Sequence, residues 1–269
     1  SYPFQVFFLM AAIRTFANDN SGMKVQLANG EIEEHRGTGT PQGGVISPLL
    51  ANLYLHYSLD QWLEQHYPTV SFVRYADDIV LHCDTEKEAQ DLLGAVKDRL
   101  TQVKLRLNEA KTKIVYCKDY RRKALHDKTQ FGFLGFSFHP RQAQSKVIAG
   151  SSYIAFTGEI SRENQQRIRD EIRECVPWRN TTLEPEAIAA KLNNKLRGWI
   201  AYFGLFGKRT LRDTINYVDT KLLKWLKRKH KVGYRAAQSI LGTLYDRRPR
   251  LFYHWECGMT TYKRITRAV

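Results

Sequence analysis

Membrane-length apolar runs, closely spaced cysteines and an acid-rich second half are what this 269-residue chain lacks. No apolar run approaches the roughly 20 residues a bilayer span needs, and no N-terminal segment has the layout of a signal peptide, so no membrane partner is expected. The four cysteines, Cys83, Cys117, Cys175 and Cys257, are far apart and include no Cys-x-x-Cys. That excludes a disulfide framework and a structural zinc site and points to a reducing compartment. Methionine is scarce, with none before Met10, and the chain opens Ser1-Tyr2-Pro3. A fragment or a processed product is therefore expected. Internal repeats and low-complexity stretches are absent, and a composition 43% apolar and 26% charged is that of a folded protein.

What is present in excess is positive charge: 42 Lys and Arg against 27 Asp and Glu, a net +15. It is unevenly placed. Residues 1–118 carry 12 basic and 14 acidic side chains, whereas residues 119–269 carry 30 and 13. A near-neutral part joined to a strongly basic one is the layout of a module that binds a polyanion.

The hydrophobic pattern changes along with the charge. Residues 4–17 read as an apolar helix ending in the turn cluster 18–22. Residues 23–27 and 31–36 read as a hairpin about Asn29-Gly30. A helix is expected over 47–66, with Pro48 in its first turn. Residues 71–83 form a second hairpin, with Ala76-Asp77-Asp78 at its tip. Thr85 and Glu88 resemble a capping box for a helix to about Val103. Short strands at 105–107 and 114–117 precede a basic loop over 120–129, an aromatic strand over 131–138, a connector over 140–145 and an extended stretch over 147–157. Four helices follow, at 161–175, 184–204, 208–230 and 233–246, their apolar positions recurring at three and four as at Leu192, Leu196, Trp199, Ile200 and Phe203. The fold class is α+β, an antiparallel sheet with helices followed by an all-helical part, with domains at 1–140 and 141–269.

Asp77 and Asp78 sit in Tyr-Ala-Asp-Asp between apolar runs. Adjacent carboxylates repel, a turn gains nothing structural from the second, and a bound cation offsets the repulsion. Carboxylate oxygens suit Mg²⁺, and pairs of Mg²⁺ ions serve in-line nucleotidyl transfer. Taken alone, the pair also suits a solvated turn, since Asp is a turn former. Thr40-Pro41-Gln42-Gly43-Gly44 stands before a helix. Its glycines let backbone approach a ligand, the helix N-terminus favours phosphate, and Gln42 offers both donor and acceptor. Lys111 in Asn-Glu-Ala-Lys-Thr-Lys-Ile and the run Phe133-Leu134-Gly135-Phe136 read, each alone, as a surface residue and a core strand.

In order, these segments resemble successive blocks of a reverse transcriptase palm: Gly-Thr-Pro-Gln-Gly-Gly-Val-Ile-Ser-Pro-Leu-Leu-Ala-Asn (39–52), Arg-Tyr-Ala-Asp-Asp-Ile-Val (74–80), Leu-Asn-Glu-Ala-Lys-Thr-Lys-Ile-Val-Tyr-Cys-Lys (107–118) and Phe-Gly-Phe-Leu-Gly-Phe-Ser-Phe (131–138). The extension Val-Ile-Ser-Pro-Leu-Leu-Ala-Asn is that of the group II intron kind. Lys-Leu-Asn-Asn-Lys-Leu-Arg-Gly-Trp-Ile-Ala-Tyr-Phe-Gly (191–204) and Leu-Phe-Tyr-His-Trp-Glu-Cys-Gly (251–258) resemble the thumb, or maturase X domain, of group II intron-encoded proteins.

The resemblance implies an RNA-directed DNA polymerase with a splicing role. Asp77 becomes a Mg²⁺ ligand and Asp78 an auxiliary acid. Tyr75 packs beside the primer terminus, and Gln42, Gly43 and Gly44 border the template base and incoming dNTP. Lys111 lies near the triphosphate as charge stabiliser or proton donor. Phe133, Leu134 and Gly135 belong to the primer grip. Arg121, Arg122, Lys123, Arg167, Lys224, Lys227 and Arg228 are phosphate-contact candidates for intron or template RNA. The implied partners are RNA, a DNA primer and dNTP, with a dimer left open, and the implied setting is the bacterial cytoplasm. The family's earlier aspartate block is missing from its place. Asp19, the one earlier aspartate, falls in a turn cluster and is not promoted. A non-catalytic intron RNA-binding remnant is therefore the competing reading, while a small-molecule nucleotidyltransferase would not need the basic helices.

Overall fold

A computed structural model describes residues 7–14, 23–26 and 32–35, by their backbone, and residues 45–144 and 151–260 in full. The chain forms two compact units, residues 1–131 with 140–156, and residues 132–139 with 157–269.

The first unit is built on strand β1 (Phe7–Arg14). The apolar helix expected over residues 4–17 is instead this strand, because a short unbroken apolar run fits a buried strand as well as a buried helix, and periodicity alone cannot separate them. The choice is made by partners. Strand β4 (Phe72–Tyr75) pairs antiparallel with β5 (Asp78–Cys83), and β5 pairs antiparallel with β1, with Ala12 opposite Asp78. The other edge of β1 takes β6 (Arg106–Leu107) and β7 (Lys113–Tyr116), end to end. Strands β2 (Met23–Gln26) and β3 (Ile32–His35) pair as a separate antiparallel ribbon, its Asn29-Gly30 turn lying outside the described residues.

The helix expected over residues 47–66 is present but not uniform. It runs as α1 (Ser47–Leu55), a π-helical turn (His56–Asp60) and α2 (Gln61–His66), with the Gln61 N–H donating to His56 O, five residues back. Helix α3 (Glu86–Gln102) starts with Thr85 Oγ1 accepting from Glu88 N at 3.1 Å and Glu88 Oε2 accepting from Asp84 N at 2.7 Å. Ala89, Leu92, Val96 and Leu100 form its buried stripe, packed with Leu55, Leu59, Leu63, Ile79 and Leu81. Cys83 lies in the same core, where burial foremost, then Glu88 and Asp84, push its thiol up to about 12. It stays protonated and inert.

The aromatic strand expected over 131–138 is a hairpin. Strand β8 (Phe131–Phe133) turns at Leu134 and Gly135, both left-handed at φ +50° and +77°, into β9 (Phe136–Gln144). Strand β9 continues through Pro140, where a connector is expected. Strand β10 (Ser152–Ile160) lies on the other side of β9. Pro140 falls in the half of β9 that lies beyond three-residue β8 and has β10 as its one partner, the edge-like setting in which a strand tolerates proline.

The second unit is otherwise helical: α4 (Arg162–Cys175), α5 (Pro185–Phe203), α6 (Lys208–Ile215), α7 (Tyr217–His230), α8 (Tyr234–Arg247) and α9 (Tyr253–Glu256). The single helix expected over 208–230 breaks at Asn216. There Thr214 and Thr220 hydroxyls donate to carbonyls four residues back, a back-bonding that competes with the ladder and bends helices. Leu192, Leu196, Trp199, Phe203, Leu222 and Trp225 are all core.

Inside that core lies one carboxylate, Asp219, 4% exposed. It accepts from His254 Nε2 at 3.0 Å, Trp255 Nε1 at 2.8 Å and Thr260 Oγ1, and so fastens α9 and the following residues to α7. Burial pushes its carboxyl upward, but His254 and the hydrogen bonds from His254, Thr260 and Trp255 outweigh burial and hold it below the ordinary range. Asp219→Ala strands these donors, and in denaturant unfolding we expect a loss of roughly 3–5 kcal/mol. A depressed folded pKa stabilises above the unfolded value and loses that contribution as pH falls through the folded one. The stability gap between wild type and Asp219→Asn should therefore be full near neutrality and shrink below about pH 4.

Candidate active site

The acidic hairpin is short and strained. Tyr75 is paired with Asp78, so Ala76 and Asp77 make a two-residue loop, and Ala76 has φ +52°. A side chain in the left-handed region costs roughly 1–2 kcal/mol, and such a conformation persists only where the surroundings impose it. Here the imposing group is Arg74. Its Nη1 donates to Ala76 O and to Asn52 Oδ1, both at 2.9 Å, while Nε and Nη2 make a fork onto Asp60 at 2.7 and 2.6 Å. Both side chains of this ion pair are largely buried. Asp60 closes the π-helical turn, and Arg99 of α3 donates to Ser58 O in that same turn at 2.8 Å. Two helices thus hold the tip through one guanidinium.

The tip presents Tyr75, 62% exposed, and an exposed Asp77, with Asp78 half-buried at the start of β5. Burial foremost, and then Asp77, push the Asp78 carboxyl above its ordinary range, and Lys111 pulls it partly back. Lys111 rides a turn in which Lys111 N and Thr112 N both donate to Asn108 O. Its charge thus reaches Asp78, which brings Asp77, Asp78 and Lys111 into one electrostatic group. Mg²⁺ characteristically takes one or two carboxylates with waters and phosphates completing its shell. The repelling pair fits one such ion. Among the described residues no group of three or more His, Cys, Asp or Glu gathers as a larger metal cage. Gln42, Gly43 and Gly44, and Asp19 with them, lie outside the described residues.

The Phe133–Phe136 turn lies wholly within the second unit. Its carbonyls are captured: Leu134 O by Tyr202 Oη at 2.9 Å, and Gly135 O by Ser161 N and Asn164 Nδ2 at 3.0 Å each. A Cβ on Gly135 would stand 2.6 Å from Asn164 Nδ2, so both the left-handed backbone and the space demand glycine.

Residues 6–138 match the reverse transcriptase (RNA-dependent DNA polymerase) family, and residues 165–240 match the group II intron maturase-specific domain. The chain belongs to the group II intron reverse transcriptase/maturase family. Protein YkfC of Escherichia coli (strain K12) is 33% identical to it over 30% of each chain, so this chain spans less than a third of that relative. A solved structure of telomerase from Candida albicans with a fragment of telomeric RNA is similar at TM-score 0.39 and 10% identity, over 90% of this chain and 46% of that one.

The cations expected to meet RNA are not alike. Lys224, Lys227 and Arg228 share the exposed face of α7, whose other face buries Leu222, Leu223, Trp225 and Leu226. Arg167 is exposed on α4, 3.9 Å from Glu171. Arg121 and Lys123 are exposed, whereas Arg122 forks back onto Asp119 and serves the loop's own shape.

Arg74, Asp60 and Asn52 are the site residues that sequence reasoning missed. A lone Asp in a helix and an Arg next to a motif carry no pattern until a π turn and a hairpin are superposed. Arg74→Met and Asp60→Leu should each cost about 3–5 kcal/mol in chemical unfolding, since each strands a buried charge. The double variant removes both charges and should recover at least half of the summed loss. Simple additivity would show that the pair does not act as a unit.

Proposed function

We propose that the chain supplies the acidic hairpin and the nucleic-acid-binding helices of an RNA-directed DNA polymerase that also acts as an intron RNA maturase. The observation that carries this is the Asp77–Asp78 pair on a strained two-residue tip, clamped by Arg74, with the Lys111 charge beside Asp78. In the reaction class the primer 3′ hydroxyl attacks the α-phosphate of a dNTP, a P–O bond forms, and pyrophosphate leaves. Asp77, with Asp78 as the auxiliary acid, would hold Mg²⁺, which would supply positive charge to the transferring phosphoryl group. Lys111 offers a second positive charge to the triphosphate. Tyr75, standing exposed beside the acids, gives the primer end a flat surface. Rigid placement by Arg74 favours the positioning on which phosphoryl transfer depends. The basic face of α7, with Arg121, Lys123 and Arg167, binds template or intron RNA through phosphates.

One observation favours the second reading, a chain that binds intron RNA without polymerising. Strand β1, hydrogen-bonded to β5 with Ala12 opposite Asp78, contains no acidic residue that could share a metal with the hairpin.

The two readings part on primer extension and RNA binding measured side by side. The 269-residue chain should bind structured RNA with a steep fall between low and moderate salt, as phosphate neutralisation demands. Flat salt dependence would sink the charge-driven part of either reading. By itself the chain should show no appreciable extension on an RNA template with Mg²⁺. Mn²⁺ added in place of Mg²⁺ should broaden the backbone NMR signals of residues 76–79, and Asp77→Asn should abolish that broadening. In any extension-competent polypeptide that contains these residues, Asp77→Asn should remove activity while RNA binding persists. Retention of more than about a tenth, a loss under roughly 1.4 kcal/mol, would refute the metal-ligand role.

A further inference from the structure

The loop after β7 carries a surface that neither the palm motifs nor the basic helices account for. Residues 118–128, Lys-Asp-Tyr-Arg-Arg-Lys-Ala-Leu-His-Asp-Lys, hold five Lys and Arg against two Asp. One of those acids is spent inside the loop. Asp119 Oδ1 accepts from Arg121 N and Arg122 N at 2.9 Å each, and Oδ2 accepts from the Arg122 guanidinium at 2.5 Å. Burial works against the charge on Asp119, but Arg122 and these backbone donors outweigh it and hold the carboxyl below its ordinary range. The other acid, Asp127, is exposed.

The loop so fixed does not bury its aromatic residue. Tyr120 is 47% exposed, although its N–H donates to Ile154 O of β10 at 2.9 Å. That bond sets it against Tyr153, itself 40% exposed, ring edge to ring face at 5.5 Å and 76°. Arg121 completes the group, its guanidinium carbon 5.0 Å from the Tyr120 ring centroid and its Nε donating to Tyr120 Oη at 2.6 Å. Two half-exposed rings and a guanidinium are therefore held in place before any ligand arrives. Lys118 and Lys123 stand close by in the chain. A protein partner with an acidic face would meet the charges but has no need of the rings. An unpaired nucleotide uses both, laying its base on the aromatic or guanidinium plane while its phosphates meet the cations. Preorganisation lowers the ordering cost of binding.

We propose that Tyr120, Tyr153 and Arg121 form a seat for an unpaired base of a single-stranded nucleic acid, apart from the Asp77–Asp78 hairpin. The seat rests on the reading of the chain as a nucleic-acid-binding protein, and the test separates the two. The full chain is titrated with a fluorescent unstructured 12-nucleotide RNA, the same sequence as DNA, and the RNA annealed to its complement, alongside a structured RNA. Stacking of one base accounts for about ten-fold or more in affinity. Tyr120→Leu and Tyr153→Leu should weaken both single strands by about that factor without changing the salt slope, and leave the duplex unchanged. Tyr120→Phe should bind as wild type. Arg121→Gln/Lys123→Gln should flatten the salt slope. Equal loss on RNA and DNA means the base is read; loss on RNA alone would show a 2′-hydroxyl contact in place of base stacking and overturn the seat.

Single-strand affinity indifferent to Tyr120→Leu and Tyr153→Leu, in a chain that still binds structured RNA, overturns the seat and spares the broader reading. A chain that binds the single strands through the tyrosines but ignores structured RNA overturns the maturase reading and spares the seat. Photocrosslinking of a 4-thiouridine-substituted 12-mer to unmodified protein guards against variants that merely disturb the loop. Mass spectrometry should place the adduct on Tyr120 or Tyr153, and adducts confined to other segments would overturn the proposal.

Discussion

The first unit depends on one buried guanidinium. Arg74 is bonded to Asp60 through two nitrogens, and its third, Nη1, donates to Asn52 and to the carbonyl of Ala76. A buried charge has to be matched, so the geometry of the match is not negotiable. Asp60 must sit at the end of the π-helical turn, Asn52 one face along α1, and the hairpin tip within reach of both. Strain at Ala76 is the counterpart of this fit. A tight turn that would relax in isolation stays strained because its carbonyl is held. The acidic pair inherits that stiffness, and adjacent carboxylates that stay in place are what a divalent cation needs.

The second unit reaches the same end by different chemistry. There the turn at Leu134 and Gly135 is held by neutral donors, a tyrosine hydroxyl, an asparagine amide and a backbone N–H at the head of α4. Both turns are fixed by capture of their carbonyls, the first by Arg74 of its own strand, itself anchored to Asp60 and Asn52, and the second directly from neighbouring elements. Tyr202 shows how a helix can serve two purposes. Its ring stays near solvent beside Phe136 and Phe203, and its hydroxyl reaches the turn. The other aromatic residues on α5, Trp199 and Phe203, are core.

Much of this was legible in the residues. Thr85 and Glu88 announced the head of α3, the alternation about Ala76-Asp77 announced the hairpin, and the three-and-four spacing from Leu192 to Phe203 announced α5. The acidic pair and Lys111 were visible as motifs, and the structure joins them electrostatically. The misreadings have a common physical origin. Phe7–Arg14 is apolar without periodicity, so only the partners β5, β6 and β7 decide that it is a strand. Leu134 gave no sign of a left-handed backbone, because the sign lies in Gly135 beside it and in a distant tyrosine. Asn216 ends one helix and opens the next through hydroxyl back-bonds that no propensity scale records. Arg74 and Asp60 lie 14 residues apart and meet only once the chain has folded.

The π-helical turn has a consequence for how this sequence can change. It places one more residue in a turn than an α-helix would, and Asp60 faces Arg74 only because of that surplus. Removing a single residue between His56 and Asp60 would restore ideal α winding, because the π turn absorbs its extra residue by winding more loosely. The flanks α1 and α2 would keep nearly the same mutual phase, and their apolar stripes would still face the core. What would go is the surplus that turns Asp60 toward Arg74. A one-codon deletion there would therefore spare the packing of the helix and strike the buried ion pair.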